Sequence, residues 1–351
     1  MRLIQGNLAF FLIILQTIID ATFYISPSSN LKIEISKIYF VKKEKIVVIG
    51  GGTGSYTVLR GLKNYNVDLS AVVSMMDSGG SAGKLRDEYG YLPQGDSRRC
   101  LIALGEEDSI IRSVFEYRFK GGGLDGHNLG NLLLTALRDM SGSEEGAIDL
   151  ASRLLNTRGE VVPVTLKHAQ IAARLENGQI VVSETNIDIP KHNPDLKIKK
   201  LYLIPRVHAN QKALDAILDA DKIVIGPGDL YTSVLANLLV VGIKQALNET
   251  KAQKIYVCNI MTKRGETTSF RASDFVNETE KYLGKGVLDY VVINTVKPKE
   301  ALLKEYQKEK SEFVVPDLRN DGYSVVRADL LDETHLVRHD PRKLAKTIMK
   351  I

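Results

Sequence analysis

The sequence has no tryptophan and only two cysteines, Cys100 and Cys258, in 351 residues. Two thiols cannot build a disulfide scaffold, and neither belongs to a Cys-x-x-Cys pair, so the chain fits a reducing compartment and offers no thiolate zinc pattern. No sign of charge dominates. There are 47 Lys plus Arg against 42 Asp plus Glu, a net charge of +5. On a chain of this size that is mild, and no nucleic-acid partner is expected from it. Apolar residues at 44% and charged residues at 25% are ordinary for a globular protein, which excludes global disorder and a many-helix membrane protein. The length allows two domains or one large α/β unit. What the sequence has in quantity is glycine, with 28 residues, many of them clustered.

Residues 1–44 stand apart. From Leu3 to Ile19 there is no charge, and then come Asp20 and the polar patch Ser26-Pro-Ser-Ser-Asn30. The run is slightly short for a spanning helix, which needs about 20 apolar residues. Arg2 would suit the charged region of a signal peptide, but no clear Ala-x-Ala cleavage site follows. The segment reads as an appended start outside the fold, as a single membrane anchor, or as a cleaved signal. The first domain signal begins at Lys45, so residues 45–351 are expected to form the α/β domain.

Short β-branched runs alternate with helical stretches through that domain. Strands are expected at Lys45–Ile49, Leu69–Ser74, Val161–Leu166, Lys200–Ile204, Ile223–Ile225, Ile255–Cys258 and Tyr290–Asn294. Several are continuous apolar runs, the pattern of strands buried on both faces of a parallel sheet. Helices are expected at Tyr56–Asn64, Asp96–Leu104, Leu129–Met140, Gln211–Asp219, Ser233–Leu247 and Ala272–Leu283, with a last one opened by Asp340-Pro341. This is βαβ grammar and predicts a Rossmann-like α/β fold. One segment differs: Gln170–Leu175 and Gln179–Glu184 flank Asn177-Gly178, which predicts a β-hairpin with a type I′ turn and a small β insertion around 161–189.

The glycines fall mostly at the expected strand ends. Gly50, Gly51, Gly52, Thr53 and Gly54 follow a buried strand and open a helix, a context that brings backbone amides and a helix dipole to an anion. The register is neither a strict Gly-x-Gly-x-x-Gly nor a Walker A loop. After the next strand, Asp77 precedes Ser78, Gly79, Gly80 and Ser81, with Lys84 and Arg86 adding positive charge. A carboxylate at a strand end suits a ribose hydroxyl, a metal or a proton; it also suits a simple turn cap. Asp96 and Arg98 follow in a further turn, where Asp96 would serve equally as an N-cap. His127, Asn128 and Asn131 open an apolar helix. Gly226, Gly228, Asp229, Tyr231 and Thr232 follow one strand, and Asn259, Thr262, Glu266 and Thr267 follow another. Each loop alone is weak evidence. Together they mark the crevice in which open α/β sheets bind ligands.

In this order the blocks resemble the gluconeogenesis factor family, whose fold is shared with 2-phospho-L-lactate transferase in the CofD-like superfamily. The resemblance runs from about Lys45 to Ile351 and is carried by Gly50–Gly54, Asp77–Arg86, Pro93–Arg98, His127–Asn131, Gly226–Ser233 and Asn259–Thr267. It implies a cytoplasmic protein that binds a nucleotide-sugar of the UDP type through these loops and affects cell shape and envelope metabolism. Membrane attachment would come solely through residues 1–44. The alternative is a transferase of a phosphate-linked group from a nucleoside-diphosphate donor, with Asp77 acting as a base or through Mg²⁺. The metal and the oligomeric state stay open. Three positions depart from the family pattern. Ser78 replaces a second Asp, Ala82 a serine and Gln94 a proline, and the Asp-Leu-Asp stretch of the transferases is missing. Ser78 leaves Asp77 alone to hold a metal, which favours a binder over an enzyme. An NAD domain is disfavoured, because no acidic residue lies in a clear ribose position about 20 residues after the glycine loop.

Overall fold

The computed structural model describes residues 42–351 apart from Glu333 and His335; nearly all of the segment 1–44 lies outside the described residues. Seven parallel strands form the main sheet in the order β3-β2-β1, then β7-β8-β9-β10. They are β1 (Glu44–Gly50), β2 (Val67–Val73), β3 (Glu160–Pro163), β7 (Lys222–Ile225), β8 (Gln253–Val257), β9 (Tyr290–Asn294) and β10 (Ser324–Ala328). Strand order reverses between β1 and β7, so the crevice at their carboxyl ends is the topological switch point.

Strand β1 explains why both faces are covered. Ile46 and Val48 enter one apolar core and Val47 and Ile49 the other. Successive side chains of a strand point to opposite faces, and burying one such aliphatic side chain contributes roughly 1.5–3 kcal/mol, so a continuous apolar run requires a layer on each side. Helices Gly52–Leu62, Gly95–Leu104, Glu144–Leu155 and Pro341–Ile348 supply one layer. Helices Gln211–Leu218, Ile243–Glu249 and Ala272–Leu283 supply the other. Residues Lys43–Ile351 make one compact unit.

The insertion is a separate antiparallel sheet, with β4 (Gln170–Leu175) between β5 (Ile180–Val182) and β6 (Ile198–Ile204). Two details differ from the sequence reading. The stretch Lys200–Ile204 belongs to this small sheet, not the main one; Leu201 and Leu203 are buried while Lys199, Lys200 and Ile204 are exposed, the one-sided pattern of an antiparallel sheet. The turn is not type I′. Of Glu176, Asn177 and Gly178 only Gly178 has positive φ, at 87°, which gives a three-residue loop with a glycine bulge. The stretch expected as one helix over Ser233–Leu247 is also broken. A π-helical turn, Leu230–Leu235, runs into the short helix Ala236–Leu238, and a new helix starts at Ile243 after Gly242, whose φ of 103° no helix accepts. Strand β10 escaped the sequence reading because it is a half-exposed edge strand.

The chain end returns to the switch point. A two-stranded ribbon, β11 (Leu331–Asp332) and β12 (Arg338–His339), precedes the final helix. The Asp340 carboxylate caps that helix, accepting from the amides of Arg342 and Lys343 at 2.8 and 2.9 Å. The helix packs on Gly61 of the helix after β1 and so fixes β12 beside the cleft.

Among the described residues, no helix is long and apolar enough to cross a membrane.

Candidate functional site

At the switch point lies a polar cavity of about 390 Å³. Its floor is the loop from β1 into the first helix, Gly51 to Gly54. Gly52 has φ of 61° and donates its amide to Asp96 Oδ1 at 2.8 Å. The first amides of a helix have no intrahelical acceptor, and Thr53 and Gly54, in the first turn of this helix, line the cavity at the positive end of its dipole. Pro227, Gly228 and Thr232 form the opposite wall. The side chain of Asn259 holds that wall in place, donating to the Gly228 carbonyl at 2.8 Å. Arg99 projects into the cavity from the helix Gly95–Leu104.

Carboxylates crowd one end, on the β2 side. Asp77, Asp96, Glu184 and Asp188 all line the cavity. Asp96 keeps some surface open to the cleft, yet protein encloses it on the other sides. Burial, then the Asp77 charge, pushes its pKa up to about 7, against the opposing pull of Arg99 and the Gly52 amide. Glu184 is also pushed up to about 7, by burial first and by Asp77 and Asp188 next. Asp77 is raised as well, mainly by burial, although its Oδ1 accepts the Gly79 amide at 2.9 Å. Such a group of desolvated acids is common at functional sites.

The sequence reading treated Asp77 as a lone carboxylate because Ser78 stands where the family has Asp. In the fold, Asp96 and Glu184 crowd beside it instead. Ser78 ties the β2 loop to the insertion, since its Oγ accepts the Thr185 amide at 2.9 Å and lies 3.0 Å from Thr185 Oγ1.

The residues expected in the site divide into those that line the cavity and those that stand behind or away from it. Gly51, Gly52, Thr53, Gly54, Asp77, Asp96, Gly228, Asp229, Thr232 and Asn259 line the cavity. Gly50 lies beneath the loop, its carbonyl accepting the Ser74 amide at 3.2 Å. Ser81, Arg98, His127, Asn128 and Asn131 form a knot behind the cavity. Arg98 Nε donates to Asn131 Oδ1 at 2.9 Å and its NH1 to the Phe115 carbonyl at 3.1 Å, while Ser81 Oγ accepts the Asn128 amide at 3.1 Å and stands 3.3 Å from a ring nitrogen of His127. Arg98 is therefore a structural cation, and its neighbour Arg99, the other half of that basic pair, lines the cleft. Lys84 is exposed and Arg86 pairs with Asp87 at 2.6 Å. Gly79 and Gly80 shape the turn after Asp77, and Gly226 the turn after β7. Tyr231, Thr262, Glu266 and Thr267 are buried outside the lining. Glu184, Asp188 and the residues of β12 are further site residues the sequence reading missed.

Asp188, Asp229 and Glu266 converge closely enough to hold a metal. The ammonium of Lys263 already sits among them, paired to Asp188, to Asp229 at 2.9 Å and to Glu266 at 3.4 Å. Burial would lower the Lys263 pKa, but these carboxylates outweigh it and hold the side chain charged. This cluster therefore has its cation built in.

The loop geometry predicts the effect of Gly52→Val. A Cβ at Gly52 has Arg99 NH1 as its nearest neighbour, 3.5 Å away, so the new side chain would enter the anion-facing space. A β-branched residue at positive φ also costs about 1–3 kcal/mol. We expect a lower but still cooperative melting transition and at least about tenfold weaker anion binding by calorimetry. Unchanged affinity would remove the loop from the site.

Comparison with known proteins places these blocks. The pattern of the 2-phospho-L-lactate transferase CofD family matches residues 46–331. A Thermotoga maritima protein is 44% identical over 315 residues, which is 88% of this chain and 99% of that protein. The gluconeogenesis factor of Halalkalibacterium halodurans is 39% identical over 316 residues, which is 88% of this chain and 97% of that protein. A crystal structure of a UPF0052 family member from Bacillus halodurans has a TM-score of 0.84 at 38% identity, covering 88% of this chain and 99% of that one.

Proposed function

The chain belongs to the gluconeogenesis factor family within the CofD superfamily, and from that premise we propose that its cleft binds a nucleoside diphosphate, specifically a UDP-sugar. The protein then acts as a cytoplasmic binding regulator of cell shape and envelope metabolism. One observation carries the reading: Thr53 and Gly54, in the first turn of the helix after β1, and Arg99 line one cavity at the switch point of the sheet. An anion gains there from the helix dipole, from oriented N–H groups and from a fork-shaped cation. Sugar hydroxyls would find acceptors among the carboxylates of the β2 side.

A diphosphate and a set of carboxylates in one cavity need compensating charge. Mg²⁺ fits the donor set, since Asp77 and Asp96 offer hard oxygen ligands and burial beside each other already disfavours their bare anions. When bound, the metal would neutralise phosphate oxygens and carboxylates together. A thermal-shift screen of nucleotides and nucleotide-sugars, with and without Mg²⁺, tests the reading. Binding raises apparent stability by about 2.7 kcal/mol at a hundredfold excess over Kd. No shift with any nucleoside diphosphate would contradict it.

The crowded carboxylates also favour a second reading, transfer of a phosphate-linked group from the nucleoside-diphosphate donor. Burial raises the proton affinity of Asp77, which suits a base for an acceptor hydroxyl. Asp77→Asn separates the two. A transferase should lose about 10²-fold or more in kcat with little change in donor affinity. A binder should lose about 1–2 kcal/mol of affinity and have no turnover to lose. Donor consumption by wild type and variant, read across acceptors with and without Mg²⁺, decides between them.

A further inference from the structure

The cavity is lined by five acids, Asp77, Asp96, Glu184, Asp188 and Asp229, against two arginines, Arg99 and Arg338. Asp77, Asp96 and Glu184 belong to the β2 side, where the reading above places Mg²⁺. Asp188 and Asp229 share a different cation, the Lys263 ammonium, which pairs with Asp188 and lies 2.9 Å from Asp229. Lys263 itself stands outside the lining, behind these two aspartates. Three segments hold it there. The turn 263–267 after β8 closes on itself, with Thr267 Oγ1 accepting the Lys263 amide at 2.9 Å and the Thr267 amide donating to the Lys263 carbonyl at 2.8 Å. The insertion abuts that turn, since a Cβ at Gly265 would fall 2.6 Å from Pro190 Cγ. Glu266 Oε2 accepts the Tyr231 amide at 3.2 Å and so ties the turn to the loop that carries Asp229. Glu266 is itself 3.4 Å from the ammonium. Burial pushes its carboxyl up against the pull of Lys263, so most of the positive charge serves the two aspartates of the cavity.

We propose that Lys263 is the tethered counter-cation of the cavity, a positioning residue that neutralises Asp188 and Asp229 in the wall and so lets an acid-lined site accept a diphosphate. The inference rests on the nucleoside-diphosphate reading above and concerns how that site admits negative charge. Charges a few ångströms apart in a partly desolvated wall act strongly on one another, so two bare aspartates would repel phosphate oxygens placed beside them. The ammonium cancels that field without touching the ligand. Asp188, Asp229 and Glu266 lie within 4.8 Å of one another, close enough to share a metal ion, and the lysine takes that place without depending on metal supply. The consequence is specific: loss of the lysine should weaken ligands in proportion to their negative charge.

Calorimetric titration of the full chain with UDP, UMP and uridine, at one fixed Mg²⁺ concentration, tests this in wild type, Lys263→Gln, Lys263→Arg and the double variant Lys263→Gln with Asp188→Asn. We expect Lys263→Gln to weaken UDP at least about tenfold, UMP by less and uridine by no more than about twofold. Lys263→Arg keeps the charge and should bind UDP within about threefold of wild type. The double variant removes the cation and one anion together, so it should recover most of the UDP affinity that the single variant loses. Unchanged UDP affinity in Lys263→Gln would overturn the proposal. So would an equal loss for the three ligands, or an equal loss in the Gln and Arg variants, either of which would make Lys263 a packing residue. If Lys263→Gln does not fold, the double variant decides. Near wild-type UDP binding there supports the proposal, and loss of UDP with uridine retained would put the ammonium on the phosphate itself and overturn the neutralising role. Failure of wild type to bind UDP or UMP would instead remove the parent reading.

Discussion

Replacing Gly54 with alanine is expected to cost about 3 kcal/mol or more of stability, with loss of ligand binding. Gly54 lies in the first turn of the helix after β1, where propensity alone would favour alanine by about 1 kcal/mol. Close approach reverses the sign. A Cβ there would press into the carbonyl oxygen of Pro227, with the Gly228 nitrogen at 2.8 Å behind it. Both atoms are backbone and have no rotamer by which to yield, so the two glycine loops would have to separate. Urea denaturation should show a lower midpoint at unchanged slope. Gly80→Ala is the control. Gly80 has φ of 50° and nothing within 4 Å of an added Cβ, so it should lose only about 1–2 kcal/mol through left-handed strain. Equal losses at the two positions would contradict the close packing of the β1 and β7 loops.

Asp96→Asn should act in the opposite direction on the free protein, raising Tm by several degrees at pH 8 and leaving it nearly unchanged at pH 3.5. The Asp96 pKa is raised from an ordinary 3.8 to about 7, first by burial and then by Asp77. Between those values the folded chain holds a proton that the unfolded chain has released. The stability contributed by protonating this group is therefore complete below about pH 4 and is lost as pH rises through about 7. Above that, the fold carries apposed desolvated anions, and Glu184, also pushed up to about 7, adds in the same sense. Asn removes one charge and keeps an oxygen for the Gly52 amide, now held at 2.8 Å. Function should suffer: Mg²⁺-dependent nucleotide affinity is expected to fall as the free protein becomes more stable, a trade-off typical of strained sites. Calorimetric melts at the two pH values check this, and a Tm that does not rise at pH 8 would show that Asp96 bears no repulsion from Asp77.

The fold was legible where burial writes itself into the chain. Strands β1, β2, β7, β8 and β9 are short apolar runs, and such runs fit a sheet covered on both faces. Strand β10 is an exposed edge without that signature, and β6 alternates because one face of its sheet is open. The site was legible at the strand ends, where glycines, Asp77, Asp229 and Asn259 occur in order. Arg98 and Arg99 show the limit. They are neighbours on one helix turn, and only the packing of that helix against Asn131 and Phe115 decides which is buried and which reaches the cleft. The carboxylates of the β2 side come from distant segments, Asp77, Asp96 and Glu184, and no spacing in the sequence announces their meeting. His339 was hidden for the same reason. It joins the cavity only because the final helix docks on Gly61 and carries β12 to the end of β8.

The central claim is that the switch-point cavity is a nucleoside-diphosphate site. Isothermal titration of the full chain with a UDP-sugar, in the presence and absence of Mg²⁺, tests it most directly. The account predicts saturable binding by wild type at one site per chain, strengthened by Mg²⁺ and weakened at least about tenfold by Gly52→Val. Absence of heat with the UDP-sugar and with every nucleoside diphosphate tried, at protein concentrations that would detect millimolar affinity, would contradict it.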